Sequence, residues 1–273
     1  MRVVADLEAL SRTAAKEFTL RARAAIARHG RFRVALTGGS TPAGLYRLLA
    51  DPRRPWRRRI PWAKVHVFFG DERVVPPSHR DSNYGMARAT LLNRVPIPPS
   101  QIHPIRIADH RRDPASGSRG GRGAAGLRSA RRAARLYQRT LRQVFGIARG
   151  EVPRFDLVLL GMGADGHIAS IFPGDPALRV RRRLATGVRP PGAALPGGTL
   201  PRVTLTLPVL NAAACVMILV SGGAKAGALA TTLGTGQSSG ARDLPARRVR
   251  PARGDLIWLV DRAAVSAGRR RGD

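Results

Sequence analysis

Cysteine is almost absent from this chain of 273 residues: Cys215 stands alone. One cysteine excludes an intrachain disulfide framework and any zinc site built on several thiolates. It lies in an apolar run, 215–220, and so reads as a buried thiol of little reactivity. Acidic residues are the second scarcity, with 17 Asp and Glu against 48 Lys and Arg, a formal charge of +31. Lysine is the third: only Lys16, Lys64 and Lys225 occur, and the other 45 basic residues are arginine. Aromatic residues amount to 5%. Trp56 alone interrupts the dense arginine blocks (53–59, 111–135, 179–183 and 269–271), so no platform for stacking bases is visible. No apolar run approaches the roughly 18 residues of a membrane span. The N-terminal stretch carries Asp6, Glu8 and Glu17 and lacks the apolar core of a secretory signal. A cytoplasmic protein without membrane contact is expected.

What is present is enough apolar material, 43%, for a large core. The positive charge invites a nucleic-acid reading, but it is spread along the whole chain. Weak polyanion binding at low salt is expected, and no specific nucleic acid. Leu7, Leu10, Ala14 and Phe18 recur at spacings of three and four, which predicts a helix over 6–29 stopped by Gly30. Apolar runs at 32–37, 64–69, 155–160, 203–207, 215–220 and 255–260 read as strands. Helices are predicted from Pro42 to about Ala50, over 82–95, over 127–145 and from about Ala224. Residues 109–126, rich in Gly, Arg and Ser, read as a flexible surface insert, and 187–199 as a Gly/Pro loop. Strand–helix alternation argues for an α/β fold, a mostly parallel sheet flanked by helices, in a single domain over 1–273.

In open parallel sheets ligands bind beyond the carboxyl ends of the strands. Four such ends are polar and glycine-rich. Thr37, Gly38, Gly39, Ser40 and Thr41 precede a helix and suit an oxyanion nest, or an ordinary strand–helix turn. Gly70-Asp71-Glu72-Arg73 sets two scarce carboxylates beside a guanidinium, as a site or as a local ion pair. The run 161–166 matches G-x-G-x-x-G, but no acid follows at the ribose-binding distance, and Pro173-Gly174 stops any helix. His167, next to Gly166 and near Asp165, is a candidate general base at neutral pH, or a structural histidine. Lys225 follows Gly222-Gly223 near a helix start and suits a phosphate, or a solvated surface. No cluster has metal-ligand spacing.

Taken together, LTGGSTPAGLY at 36–46, VFFGDERVVP at 67–76, DSNY at 81–84, FDLVLLGMGADGHIASIFPG at 155–174, RVTLTLP at 202–208 and SGGAK at 221–225 resemble the 6-phosphogluconolactonase family over nearly the whole chain. The related glucosamine-6-phosphate deaminases have DEY in place of Asp71-Glu72-Arg73 and an acidic FNEP-type segment in place of 170–174. The resemblance implies a fold like that of the glucosamine-6-phosphate deaminase, ribose-5-phosphate isomerase and CoA-transferase group. It implies a lactone hydrolase acting on 6-phospho-D-glucono-1,5-lactone in the oxidative pentose phosphate pathway, with His167 as base on water, aided by Asp165, and Asp71 as the next candidate. Arg73, Lys225 and Ser40 would hold the phosphate. Amides near Gly38-Gly39 or 161–163 would receive the oxyanion. No metal and no cofactor is expected, and the chain is expected to be a monomer or a small homo-oligomer. Two alternatives are a deaminase or isomerase on the same fold, and a basic nucleic-acid binder with an inactive core.

Overall fold

The computed structural model describes residues 1–107, 119–192, 198–234 and 244–266. The central sheet has six strands: β1 (Arg2–Val4), β2 (Phe32–Leu36), β3 (Val65–Phe69), β5 (Leu157–Gly161), β8 (Cys215–Val220) and β9 (Asp255–Asp261). Their order is β1-β9-β8-β5-β2-β3, and every pairing is parallel. Parallel strands covered by helices on both faces need near-continuous apolar sequence, and all six residues of β8 are buried. From β2 the chain passes to β3 on one side, and from β5 to β8 on the other. The β2–β5 junction is therefore the switch point at which such sheets open a ligand crevice.

Helix α1 (Leu7–His29) begins where the Asp6 carboxylate accepts the Ala9 amide at 2.8 Å, and ends at left-handed Gly30. It buries Leu10, Ala14 and Phe18 of the predicted face, and Ala22 beyond them, whereas Leu7, in the first turn, is exposed. Helix α2 (Ser40–Ala50) follows β2, the short α3 (Pro55–Arg59) precedes β3, and α4 (Asn83–Thr90) is shorter than the sequence suggests. The long α5 (Arg119–Phe145) precedes β5, the short α6 (Leu207–Asn211) precedes β8, and α7 (Ala226–Leu233) follows it.

A second sheet, antiparallel and three-stranded, was not foreseen. Its strands β4 (Asp71–Arg73), β6 (Ala185–Val188) and β7 (Arg202–Leu205) lie in the order β4-β7-β6. Asp71, Glu72 and Arg73 thus belong to a strand and not to a loop. The predicted loop 187–199 starts inside β6, and its residues 193–197 lie outside the described residues. The predicted insert 109–126 also needs correction. Its residues 109–118 lie outside the described residues, but 119–126 form the first two turns of α5. Ala125 is buried there, and a side chain at Gly126 would meet the Pro201 ring at 2.7 Å. Glycine-rich composition masked a packed helix.

Two buried tyrosines finish the strands that lead into the crevice. The Tyr46 hydroxyl, from α2, accepts the Thr37 amide at 3.0 Å and donates to the Thr37 carbonyl at 2.8 Å. The Tyr137 hydroxyl, from α5, accepts the Phe69 amide at 2.9 Å and donates to the Phe69 carbonyl at 3.0 Å. Burial holds both phenols protonated, well above the usual range. Tyr46→Phe or Tyr137→Phe leaves a buried amide and carbonyl without partners, at a cost of about 1–3 kcal/mol. The melting temperature of each should fall by roughly 2–10 °C, and an unchanged melt would show that the hydroxyls are dispensable.

Candidate active site

A cavity of about 560 Å³ opens at the β2–β5 switch point, lined from all four strand ends: Thr37–Gly39, Asp71 and Arg73, 161–165 with His167, and Lys225. Asn83, Ala169 and Arg202 complete the lining. Of the residues singled out from sequence, Gly38, Gly39, Asp71, Arg73, Asp165, His167 and Lys225 meet here. Ser40 does not. As the first residue of α2 it is exposed and stands outside the lining, and the helix cap at Gly39 uses no side chain.

The loop after β5 carries the titratable pair. His167 Nδ1 lies 2.6 Å from Asp165 Oδ1, and the His167 amide donates to the same oxygen at 3.2 Å. Gly163 makes room for them: a Cβ there would lie 2.1 Å from His167 Nδ1 and 2.4 Å from Asp165 Oδ1. Burial pushes the Asp165 carboxyl up, but the hydrogen bond and charge of His167 outweigh it and leave the group below the usual range. Asp165 is therefore a carboxylate that accepts Nδ1–H, which leaves His167 Nε2 as the ring's proton acceptor. The imidazole rests on Phe172, with centroids 4.9 Å apart. The Arg202 guanidinium lies 5.4 Å from the centre of the same ring.

Three cations border the cavity. Lys225 Nζ donates to the Met162 carbonyl. Burial holds Lys225 below the usual amine range, against the pull of the Asp165 charge. Arg73 Nη1 donates to Asn83 Oδ1 at 2.6 Å and to the Asp81 carbonyl at 3.0 Å, while its Nε is buried with no hydrogen-bond partner among the described residues. Arg202 is only 2% exposed, and burial and the nearby Arg73 lower its pKa. A cavity so lined attracts an anion.

Asp71, at 3% exposure, accepts Ser170 Oγ at 2.6 Å and Asn83 Nδ2 at 3.1 Å. Gly38 lets Asn83 in, since a Cβ there would lie 1.7 Å from Asn83 Oδ1. Glu72 clamps the start of α4 by accepting the amides of Arg73, Asn83 and Tyr84 at 2.8 Å each and the Ser82 hydroxyl at 3.1 Å. Ala169 has φ +48°, the one described non-glycine with positive φ. It occupies a turn closed by two hydrogen bonds between Ile168 and Ile171 and brings Ser170 to Asp71. This left-handed backbone costs roughly 1 kcal/mol or more.

Asn83, Ala169, Phe172 and Arg202 were not singled out as site residues from sequence. Asn83 and Phe172 stand in the DSNY and FPG segments. Arg202 opens the RVTLTLP segment, where it reads as one more arginine among 45. Among the described residues no cluster of three or more His, Cys, Asp or Glu is arranged to hold a metal, and no helix is long and apolar enough to cross a membrane.

Burial pushes the Glu72 carboxyl from 4.5 up to about 7, against the three amides that favour its charge and with help from Asp71. Between those values the folded chain keeps a proton that the unfolded chain has released. Glu72's contribution to stability is thus complete below 4.5 and is lost as the pH rises through about 7. In Glu72→Gln, the urea midpoint should change less between about pH 5 and 7.5 than in the wild type. Equal slopes would remove Glu72 as the titrating group.

Residues 5–258 match the family described as glucosamine-6-phosphate isomerases/6-phosphogluconolactonase. A 6-phosphogluconolactonase of Nostoc sp. is 42% identical over 242 residues, covering 88% of this chain and 86% of that protein. The structure of 6-phosphogluconolactonase from Trypanosoma cruzi superposes with a TM-score of 0.80 at 29% identity, covering 97% of this chain and 94% of that one. A monomeric glucosamine-6-phosphate deaminase shares the fold, with a TM-score of 0.70 at 19% identity over 98% of this chain and all of the other. On the extent of these matches, the chain belongs to the glucosamine-6-phosphate isomerase/6-phosphogluconolactonase family.

Proposed function

We propose that this protein hydrolyses 6-phospho-D-glucono-1,5-lactone to 6-phosphogluconate. The observation that carries this reading is the Asp165–His167 pair, 2.6 Å apart, in a cavity bordered by Arg73, Lys225 and Arg202. A lactone is an activated ester, so its hydrolysis needs a base, an oxyanion site and a grip on the anionic end.

His167 Nε2 takes a proton from water as the water oxygen attacks the lactone carbonyl carbon. Asp165 holds Nδ1–H and stabilises the imidazolium that forms. The carbonyl oxygen becomes an oxyanion, received by backbone amides of 38–39 or 161–163. Collapse breaks the bond from the carbonyl carbon to the ring oxygen. That oxygen leaves with the proton from His167, giving the open-chain acid and the neutral imidazole. Lys225 and Arg73 bind the phosphate, with Arg202 behind them. Asp71, whose oxygens both accept hydrogen bonds, holds Ser170 and Asn83 in place.

His167→Asn keeps a hydrogen-bonding side chain and removes the base. Its kcat should fall by about 10²–10⁴-fold with little change in KM. A near-normal kcat at an unchanged melting temperature would take His167 out of the mechanism. Lys225→Ala should lower kcat/KM about ten- to hundredfold, the worth of one charge-assisted bond. It should leave the weak turnover of unphosphorylated gluconolactone unaffected. Equal turnover of both lactones by the wild type would overturn the phosphate assignment. Release of ammonia from glucosamine 6-phosphate, without lactone hydrolysis above the spontaneous rate, would place the chain with the deaminases.

A further inference from the structure

A second cavity, of about 470 Å³, opens between α5 and β6 and shares no lining residue with the first. Arg131 and Arg135 reach it from successive turns of α5, and Arg183 from just before β6. Three arginines line this space, and no acidic residue does. The surrounding sequence offers none either: no Asp or Glu occurs between Asp113 and Glu151, or between Asp175 and Asp243. Among the described residues, none of the three arginines forms an ion pair. Like charges gathered in one concavity repel each other, and a bound anion relieves that repulsion.

The floor of the cavity is built and polar. Gln138 and Thr186 line it, each only 8% exposed. The Leu184 amide donates to Gln138 Oε1 at 3.1 Å, which fixes the side-chain amide. Its two N–H donors make no hydrogen bond among the described residues. The wall is rigid as well, because β6 is paired along its length with β7 and packs closely on α5. Arginine forks match phosphate and carboxylate oxygens in pairs, and the volume lies within the ordinary range for small ligands of roughly 300–1,000 Å³.

We propose that this cavity is a second anion site, for a small molecule carrying a phosphate ester or pyrophosphate group with at least two negative charges. A small ligand is favoured over a nucleic acid because the lining converges on one concavity and includes no aromatic side chain for stacking bases.

Calorimetric titration of inorganic pyrophosphate into the full chain, at about 0.15 M salt, tests this. The wild type should show a saturable site. The double variant Arg131→Gln/Arg135→Gln, and separately Arg183→Gln, should weaken it at least about tenfold, as expected for a lost charge-assisted bond. These side chains are exposed, so the melting temperature should stay put. Lys225→Ala, which alters only the first cavity, should keep the site. The proposal is overturned by an absence of saturable binding, by unchanged affinity in both arginine variants, or by loss of binding in Lys225→Ala alone. It is also overturned if a 20-nucleotide single strand, and not pyrophosphate, binds through these arginines at that salt.

Discussion

A parallel strand that stops inside a protein leaves its last amides and carbonyls without ladder partners, and these groups must be satisfied before the chain can turn away. Here four such ends converge, and the way each is finished decides what faces the crevice. Tyrosine hydroxyls close β2 and β3 by donating to one backbone group and accepting from another. After β8, the Asp261 carboxylate accepts the Gly222 amide at 3.1 Å and the Ser221 hydroxyl. After β5 the chain finishes itself: the Gly163 amide donates to the His167 carbonyl at 2.9 Å, and the Gly166 amide to the Gly163 carbonyl at 3.0 Å. That self-closing loop sets His167 two residues from Asp165, close enough for the carboxylate to hold the ring.

The same constraint explains how a chain with 17 acids uses them. Glu72, Asp156, Asp175 and Asp261 all accept backbone amides. Asp71 and Asp165 fix side chains at the cavity. The surface stays strongly positive because 48 basic residues outnumber these acids, and the arginines between α5 and β6 have no carboxylate among the lining residues.

The parallel sheet was legible because strands buried on both faces have no room for polar residues, and 32–36, 157–160 and 215–220 show none but Arg33. The convergence of polar strand ends followed from that topology. Of the small antiparallel sheet only β7 was legible, as the strand predicted at 203–207. β4 is three residues long, and all three are charged. β6 contains Gly187, which reads as a loop but lets the strand approach α5, where a Cβ would meet the Arg131 amide at 2.7 Å. Arg202 was hidden for a different reason. In a chain with 45 arginines, a guanidinium buried between Phe172 and the cavity looks like any solvated one. Ser40, expected through the resemblance to hold the phosphate, is the exposed first residue of α2 and stands outside the lining.

The hydrogen bond from Ser170 Oγ to Asp71 Oδ2 joins positions 99 residues apart, and the cavity it braces also needs Arg202 and Lys225. A chain emerging from the ribosome at about 5–20 residues per second displays the β2 end and the arginine-bearing β4 segment many seconds before the residues that complete the pocket. Until β8 has entered the sheet, the nascent protein carries its positive charge without the anion-binding shape. The strand-end cavity is thus completed late in the chain, after β8 has brought Lys225 to it and Asp261 of β9 has closed the β8 end.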